Sequence, residues 1–141
     1  ETGLRIDDVL SLPSKVLKQE TFTVCESKTG KKKRCRLSAA LRRDLRHVAG
    51  DKFIFPHRID PERHRTRQAV YSDIKRAARL FRVKKNVTPH SMRKAYAVDL
   101  MRRYGDISKV AEALNHDKGF MQTTMLYALA DIISSGFERK K

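Results

Sequence analysis

Helical spacing of apolar residues restricts the fold of this chain more than any other feature. In QAVYSDIKRAARLF, residues 68–81, the apolar side chains fall on one helical face, at Val70, Ile74, Ala77, Ala78 and Phe81. Such a face needs a partner to pack against, so the segment predicts an amphipathic helix on a core. The 141 residues suffice for one domain and are too few for two full cores.

Capping and breaking residues predict further helices along the chain. Ser is a preferred N-cap residue, Pro suits the first helical turn, and Gly often ends a helix. By these signals helices are predicted over about 39–49 after Ser38, from Pro89 to about Tyr104 before Gly105, over ISKVAEALN after Asp106, and over 118–128 and 129–138. The segment 51–67 lacks a helical pattern and is predicted to be a loop.

The N-terminal segment TGLRIDDVLSL, residues 2–12, also predicts a short amphipathic helix, which Pro13 stops. Leu4, Val9, Leu10 and Leu12 are expected on its buried side, with Asp7 and Asp8 outside.

One segment departs from the helical pattern and predicts a basic β-hairpin. ETFTVCES, residues 20–27, is rich in β-branched and aromatic types, a Gly-centred turn KTGKKK follows, and RCRL predicts the return strand. Cys25 and Cys35 lie on the two arms, where the turn decides whether they face each other. The predicted fold class is therefore mostly α with a small antiparallel β-sheet, an α+β fold.

The charge of the chain points to a polyanionic partner. Lys and Arg number 32 against 16 Asp and Glu, a formal net charge of +16. Six basic residues and no acid lie in 28–36, and thirteen basic residues accompany Glu62, Asp73 and Asp99 in 61–103. Nucleic acid is the first partner to consider and an acidic membrane surface the second. No apolar run approaches a membrane span.

The chain lacks the usual signatures of nucleotide and metal chemistry. It has no GxGxxG, GxxxxGK[ST] or HExxH motif, and two cysteines are too few for a metal cage. No cofactor and no metal are therefore predicted. The two thiols are expected to be reduced, which favours an intracellular setting.

The segment Thr88-Pro89-His90-Ser91-Met92-Arg93 predicts an anion site at a helix start. His90 and Arg93 are three residues apart and share a face, next to free N–H groups at the positive end of the helix dipole. An imidazole and a guanidinium there would suit a phosphate. Taken alone, HxxR is a weak motif that a solvated basic helix explains better.

Four further residues have ordinary explanations when each is considered by itself. Arg5 in a first helical turn and Lys28 at a hairpin tip are commonly solvated, His116 near a helix end commonly packs, and Tyr127 commonly lies half-buried on a helix. Their order along the chain is more specific than any one of them: Arg, hairpin Lys, His-x-x-Arg, His and Tyr.

In this order the chain resembles the tyrosine recombinases, or phage-type integrases. The resemblance extends from TGLRIDDVLSL through KTGKKKRCRL and VTPHSMRKAYAVDLMRRYGDISKVAEALNH to TTMLYALAD. It implies a recombinase-like catalytic domain whose catalytic residues are Arg5, Lys28, His90, Arg93, His116 and Tyr127. Lys28 stands nine residues before Leu37, the family's usual closing leucine. Asn115 stands where the family usually has Gly, and Asn tolerates the left-handed backbone.

Tyr127 is the preferred nucleophile among the four tyrosines. It follows Thr123-Thr124 and is the only tyrosine after His116, whereas Tyr71, Tyr96 and Tyr104 lack that context. The resemblance implies that its hydroxyl attacks a DNA phosphodiester and forms a 3′-phosphotyrosyl link, which religation to another strand resolves into recombination or DNA integration. A type IB topoisomerase and a non-catalytic basic DNA-binding module are the alternatives. The topoisomerase pattern usually lacks the His of His-x-x-Arg, so His90 favours the recombinase.

The resemblance also implies partners and setting. Double-stranded DNA is the expected partner, with self-association on the DNA and no membrane. The family's catalytic domain normally has residues ahead of TGLR and a separate DNA-binding domain before them, so we expect residues 1–141 to be a catalytic-domain fragment. A cytoplasmic, DNA-associated location of the bacterial or phage type is expected.

Overall fold

The computed structural model describes residues 1–115, in which helices predominate and two strands form one antiparallel sheet. This confirms the predicted fold class. The elements in chain order are α1 (Ile6–Leu10), a 3₁₀ helix (Ser14–Lys18), β1 (Thr21–Cys25), β2 (Lys32–Arg36), α2 (Ala39–Arg46), α3 (Arg67–Leu80), α4 (Pro89–Tyr104) and α5 (Ile107–Ala113). The chain divides into two compact units, Glu1–Pro89 and a second that begins at His90.

The core of the first unit lies between the hairpin, the N-terminal segment and the loop after α2. Its buried members are Leu4, Leu12, Leu17, Phe22, Cys35, Leu37 and Ile54. Side chains of β2 alternate between buried and exposed, as expected for a strand with one face on a core. Ile54 reaches this core from the long loop, and its amide donates to the carbonyl of Leu12 at 3.1 Å.

The predicted helix over residues 2–12 is wrong at both ends, since only Ile6–Leu10 is helical. Gly3 has a left-handed φ of 60° and Arg5 has an extended ψ of 154°, neither of which a right-handed helix allows. Residues ahead of α1 are instead tied to the hairpin, because Lys33 Nζ donates to the carbonyl oxygen of Thr2 at 2.6 Å. Arg5 therefore stands at the N-cap position of α1 and not within its first turn.

Of the two acids predicted on the exposed side of α1, one is buried. Asp7 is exposed, but Asp8 is buried with 1% of its surface accessible. Burial is possible because Asp8 Oδ1 accepts two hydrogen bonds of 2.8 Å, from the amide and from the hydroxyl of Ser27. This carboxylate thus fastens α1 to the hairpin turn.

The register of the hairpin separates the two cysteines. Cys25 pairs with Lys32, and Cys35 pairs with Phe22. Both thiols are free, Cys25 exposed and Cys35 buried. Burial raises the pKa of the Cys35 thiol, so it is neutral and behaves as a small apolar core residue.

The predicted N-cap of α2 is confirmed but its predicted end is wrong, and α3 buries less than its pattern predicts. Ser38 Oγ accepts from the amide of Leu41 at 3.2 Å, although α2 ends at Arg46 and not near residue 49. On α3 the apolar residues Val70, Ile74 and Ala78 are half-buried. Phe81 was expected on the same face but is 81% exposed, because the helix ends at Leu80 and the backbone then turns left-handed at Arg82.

The second unit packs α4 against α5. Ala97, Leu100, Val110 and Leu114 form its buried cluster. Gly105 ends α4 with a φ of 62°, and Asp106 Oδ1 caps α5 by accepting from the amide of Ser108 at 2.8 Å. Both boundaries agree with the sequence prediction. The predicted helices over 118–128 and 129–138 lie outside the described residues, and no helix within residues 1–115 is long and apolar enough to cross a membrane.

Candidate functional site

Arg5 is held in place by a buried carboxylate. Its Nη1 donates to Oε2 of Glu26 at 2.7 Å. The Glu26 side chain is 0% exposed and that of Arg5 is 23% exposed. The guanidinium therefore lies at the surface with one nitrogen anchored inward, which restricts its orientation more strongly than solvent would.

Lys28 lies in the turn that joins β1 to β2, as predicted, and is exposed. Glu26 organises this turn with its backbone. Its carbonyl accepts from the amides of Thr29 at 3.3 Å and Gly30 at 2.8 Å, and its own amide donates to the carbonyl of Lys31 at 2.9 Å. A left-handed φ of 66° at Gly30 closes the turn, a conformation that glycine adopts without strain.

Two buried acids therefore support the Arg5–Lys28 half of the site, and sequence reasoning missed both. Asp8 binds Ser27, directly before Lys28, and Glu26 binds Arg5 through its side chain. The sequence predicts a solvent-exposed Asp8, and it places Glu26 in the strand segment 20–27 without a role in the site. The available signal was composition, since Glu26 is an acid two residues before a segment, 28–36, with six basic residues.

The neighbouring lysines differ sharply in exposure. Lys33 is 9% exposed and donates to the Thr2 carbonyl, so it serves as a structural link between the hairpin and the N-terminal segment. Lys32 is exposed and Lys31 is half-buried. Among the hairpin lysines, Lys28 combines exposure with a position in the turn that the two buried acids hold.

His90 lies in the first turn of α4, where it is exposed. Partial desolvation, together with the charges of Lys94 and Arg93, lowers the pKa of His90 below the usual histidine value. At neutral pH the imidazole is therefore uncharged and able to accept a proton. It lies at the positive end of the α4 dipole, which favours a nearby anion.

Arg93 is anchored by a backbone carbonyl. Its Nη2 donates to the oxygen of Leu114 at 2.8 Å. Leu114 is the C-cap residue of α5, so this bond satisfies a carbonyl at a helix end and places a cation at the negative end of the dipole. Arg93 thus binds the turn that leads towards His116.

The turn after α5 has the predicted backbone. Asn115 has a φ of 55°, the left-handed conformation that Asn tolerates where the recombinase family usually has Gly, and its amide donates to the Glu112 carbonyl at 2.8 Å. His116 and Tyr127 lie outside the described residues. Within the first unit, Glu26 joins Arg5 to the turn that contains Lys28, and within the second, His90 and Arg93 lie three residues apart on α4.

The basic residues near α3 differ in whether an acidic side chain lies close enough to balance their charge. Arg65 and Arg76 both pair with Asp73, and Arg67 lies 3.4 Å from Asp7. The Arg76 hydrogen bond, with help from Arg65, lowers the pKa of Asp73. Other cations of this surface are exposed: Arg63, Arg79, Lys84 and Lys85. A shallow groove of about 280 Å³ is lined partly by Lys75, Arg76 and Arg79.

Comparison with protein families adds the decisive observation. The model of the phage integrase family matches residues 1–131, a range that includes all six predicted site residues. The chain belongs to the phage integrase family.

Curated relatives and solved structures agree with this membership. Tyrosine recombinase XerC of Mesorhizobium japonicum is 30% identical over 139 residues, covering 92% of this chain and 44% of the relative. Tyrosine recombinase XerD of Rhizobium meliloti is 29% identical over 136 residues, covering 89% of this chain and 43% of the relative. The chain thus spans less than half the length of these relatives.

Two solved structures resemble this phage integrase family member in fold. The crystal structure of XerA recombinase has a TM-score of 0.74 at 19% identity, covering 99% of this chain and 55% of that one. The pre-cleavage complex of XerH site-specific recombinase with its difH substrate has a TM-score of 0.72 at 21% identity, covering 89% of this chain and 39% of that one.

Proposed function

We propose that this chain acts as the catalytic domain of a tyrosine recombinase, which breaks and rejoins duplex DNA through a covalent protein–DNA link. The observation that carries the proposal is the family match over residues 1–131, because it spans the whole ordered set from Arg5 to Tyr127. The anchored Arg5 beside the Lys28 turn and the neutral His90 beside Arg93 supply side chains of the required chemistry.

The arginines stabilise charge on the phosphate. Attack on the phosphodiester places extra negative charge on its nonbridging oxygens, and a guanidinium donates paired hydrogen bonds to such oxygens. In the proposal Arg5 and Arg93 both bind the scissile phosphate, and His116 adds a further hydrogen bond. Each arginine is fixed by a contact inside its own unit, to Glu26 and to Leu114, so less side-chain freedom is lost on binding.

Proton transfer is assigned to one base and one acid. The Tyr127 oxygen forms a bond to phosphorus, the bond from phosphorus to the 5′-oxygen breaks, and the products are a 3′-phosphotyrosine and a 5′-hydroxyl. His90 accepts the tyrosine proton, for which its uncharged state at neutral pH is suited. Lys28 gives a proton to the leaving oxygen. Attack by another strand's 5′-hydroxyl reverses these steps and completes strand exchange without an external energy source.

The proposal extends to partners and setting. Double-stranded DNA is the substrate, and the exposed cations near α3 bind its backbone away from the cut site. Self-association on DNA and a cytoplasmic location belong to the same proposal. Crosslinking of the protein on and off its DNA site tests the self-association, with DNA-dependent dimers or larger species expected.

Covalent trapping is the direct test of the function. A pool of nicked duplexes with randomised sequence around the nick is incubated with the protein, and adducts that survive SDS are isolated and sequenced. The pool is needed because the target site is unknown. We expect a covalent adduct with a preferred sequence, and peptide mapping should place the DNA on Tyr127.

The matched control is Tyr127→Phe, which removes one oxygen and little packing, so the fold and DNA affinity should persist. The adduct should vanish in this variant. An adduct that remains, or that maps to Tyr96 or Tyr104, would transfer the nucleophile role to another residue. Relaxation of a plasmid without a preferred site would favour a topoisomerase, and DNA binding without any adduct would favour a non-catalytic module.

A further inference from the structure

We propose that Glu26 is a positioning residue that couples the Arg5 guanidinium to the turn carrying Lys28. The inference rests on the proposed function, in which Arg5 binds the phosphate and Lys28 protonates the leaving oxygen. In this scheme Glu26 contacts neither the phosphate nor the leaving oxygen. It acts by fixing the two residues relative to each other within the first unit.

The burial of Glu26 is the first observation. A carboxylate that is 0% exposed loses its hydration, and this cost is met only by good partners. Its Oε2 accepts from Arg5 Nη1 at 2.7 Å and from Thr29 Oγ1 at 3.0 Å. Since a buried ion pair contributes little net stability compared with apolar packing, stability alone is a weak reason for this arrangement.

The sharing of one oxygen is the second observation. Arg5 and Thr29 donate to the same atom, so displacement of the turn is transmitted to the guanidinium through a single carboxylate oxygen. Thr29 directly follows Lys28. The pairing engages Nη1 of Arg5, and the edge formed by Nε and Nη2 has the geometry that grips a phosphate with two hydrogen bonds.

The backbone of Glu26 supplies the third observation. Its amide and carbonyl make three hydrogen bonds across the turn, to Thr29, Gly30 and Lys31. The residue that holds Arg5 with its side chain therefore also sets the conformation of the segment in which Lys28 lies. Catalysis is sensitive to this kind of placement, because a misplacement of about 1 Å can cost roughly 100-fold in rate.

Two variants distinguish the Glu26–Thr29 contact from the Glu26–Arg5 contact. Thr29→Val removes the hydroxyl that donates to Glu26 at 3.0 Å and accepts from the Lys31 amide at 3.4 Å. Glu26→Gln weakens the contacts of Glu26 with both Arg5 and Thr29 while keeping the shape of the side chain. Cleavage rates are measured on the DNA selected by trapping and on the same DNA with sulfur at the 5′-bridging position. The sulfur leaves without needing a proton, so it bypasses Lys28.

We expect Thr29→Val to cleave ordinary DNA about tenfold more slowly and the sulfur substrate at nearly the wild-type rate. Glu26→Gln should be slower by roughly 100-fold on ordinary DNA and only partly rescued by sulfur, because the Glu26–Arg5 contact is also weakened. Wild-type rates for Glu26→Gln, or equal losses on both substrates for Thr29→Val, would overturn the inference. A purely structural role predicts equal losses, since lost folding affects both substrates alike.

Glu20→Gln is the matched control. Glu20 pairs with Arg36 at 2.5 Å on the same hairpin, but both side chains are well exposed, at 50% and 76%. An exposed pair of this kind contributes little, so cleavage of both substrates should stay at the wild-type rate. A loss equal to that of Glu26→Gln would show that any disturbance of the hairpin has the same effect, and would contradict a specific role for Glu26.

Hydrogen exchange distinguishes failure of this inference from failure of the proposed function. If the wild type forms no adduct, the function fails, yet the coupling is still measurable without DNA. Arg5→Ala should speed exchange of the Thr29 and Gly30 amides by about tenfold, while the paired residues Phe22 and Cys35 change little. Unchanged exchange in the turn would overturn the coupling whatever the activity.

Discussion

The two arginines of the candidate site are proposed to do the same work but are anchored by different chemistry. Arg5 donates to a buried carboxylate, Glu26, whereas Arg93 donates to a neutral backbone carbonyl, that of Leu114. The first anchor is an ion pair inside the protein, and the second is a hydrogen bond at a helix end. The difference shows that one function can be supported by two kinds of local structure, which respond differently to mutation.

The electrostatic surroundings of the two arginines also differ. Near Arg5, two acids, Asp8 and Glu26, are buried, while Lys28 in the hairpin turn is exposed. Near Arg93, the positive charges of Lys94 and Arg93 contribute to lowering the pKa of His90. The charge of Arg5 is therefore partly neutralised by its anchor, whereas the Leu114 carbonyl that anchors Arg93 carries no net charge.

The largest expected effect tests whether the two arginines, despite their different anchors, are equally important for cleavage. Arg5→Lys and Arg93→Lys should each reduce cleavage by roughly 100-fold or more while leaving most DNA binding, because Lys keeps the charge but loses the fork that grips two oxygens. Adduct formation on the trapped DNA substrate measures the rate. Normal cleavage by either variant would remove that arginine from the catalytic set, and unequal losses would rank the two.

Replacing Arg5 should lower the free energy of unfolding more than replacing Arg93. Arg5→Ala removes a cation that is paired with the buried Glu26 carboxylate, at a cost of about 3 kcal/mol, the lower end for buried pairs because Arg5 is partly exposed. Arg93→Ala removes one hydrogen bond to a carbonyl, at a cost of about 1 kcal/mol. Urea unfolding of both variants measures the difference.

The double variant Arg5→Ala with Glu26→Ala is the control for this contrast. Removing both partners also removes the buried carboxylate that had paired with Arg5, so part of the lost stability should return. If Arg5→Ala costs no more than Arg93→Ala, the ion pair has no special energetic weight and the contrast between the anchors is contradicted.

The sequence predicted the elements that depend on local signals. The caps at Ser38 and Asp106 and the helix start at Pro89 follow from nearest neighbours along the chain, and the structure confirms them. The left-handed backbone of Asn115 is implied by the family resemblance and is also observed. The overall class, helices with one small antiparallel sheet, follows from periodicity and β-propensity.

The features that sequence missed depend on contacts between distant residues. Asp8 is buried because Ser27 binds it, and residues 2–4 are not helical because Lys33 holds the Thr2 carbonyl. No local pattern encodes these pairs. The order of motifs suggests the catalytic set, while the contacts by which Asp8 and Glu26 support Arg5 and Lys28 are visible only in the three-dimensional structure.

The pH dependence of cleavage tests the electrostatic side of the comparison. Desolvation and the neighbouring cations disfavour protonated His90, so its neutral form persists below the usual pKa of 6.5. If neutral His90 is the base, cleavage should be retained as pH falls through 6.5 and should decline only at lower pH. A rate profile with saturating DNA measures this limb.

His90→Gln keeps a hydrogen-bonding side chain without a titratable group in this pH range, so the acidic limb assigned to His90 should disappear along with most of the rate. A limb that stays in place in this variant belongs to another group. A wild-type limb centred above pH 6.5 would mean that the positive surroundings do not control His90 during catalysis.

The smallest expected effect extends the contrast between paired and unpaired cations to the surface of α3. Arg79 is exposed, whereas Arg76 shares Asp73 with Arg65. Arg79→Gln should reduce the slope of log K against log salt for duplex DNA by about 1, as expected for loss of one phosphate contact. Arg76→Gln removes the same formal charge but should change the slope less, because its charge is already balanced by Asp73. In an Asp73→Asn background, Arg76 loses this partner, so Arg76→Gln and Arg79→Gln should lower the slope by the same amount. If the two substitutions lower the slope equally while Asp73 is present, DNA displaces Asp73 from Arg76 and the pair does not protect the charge.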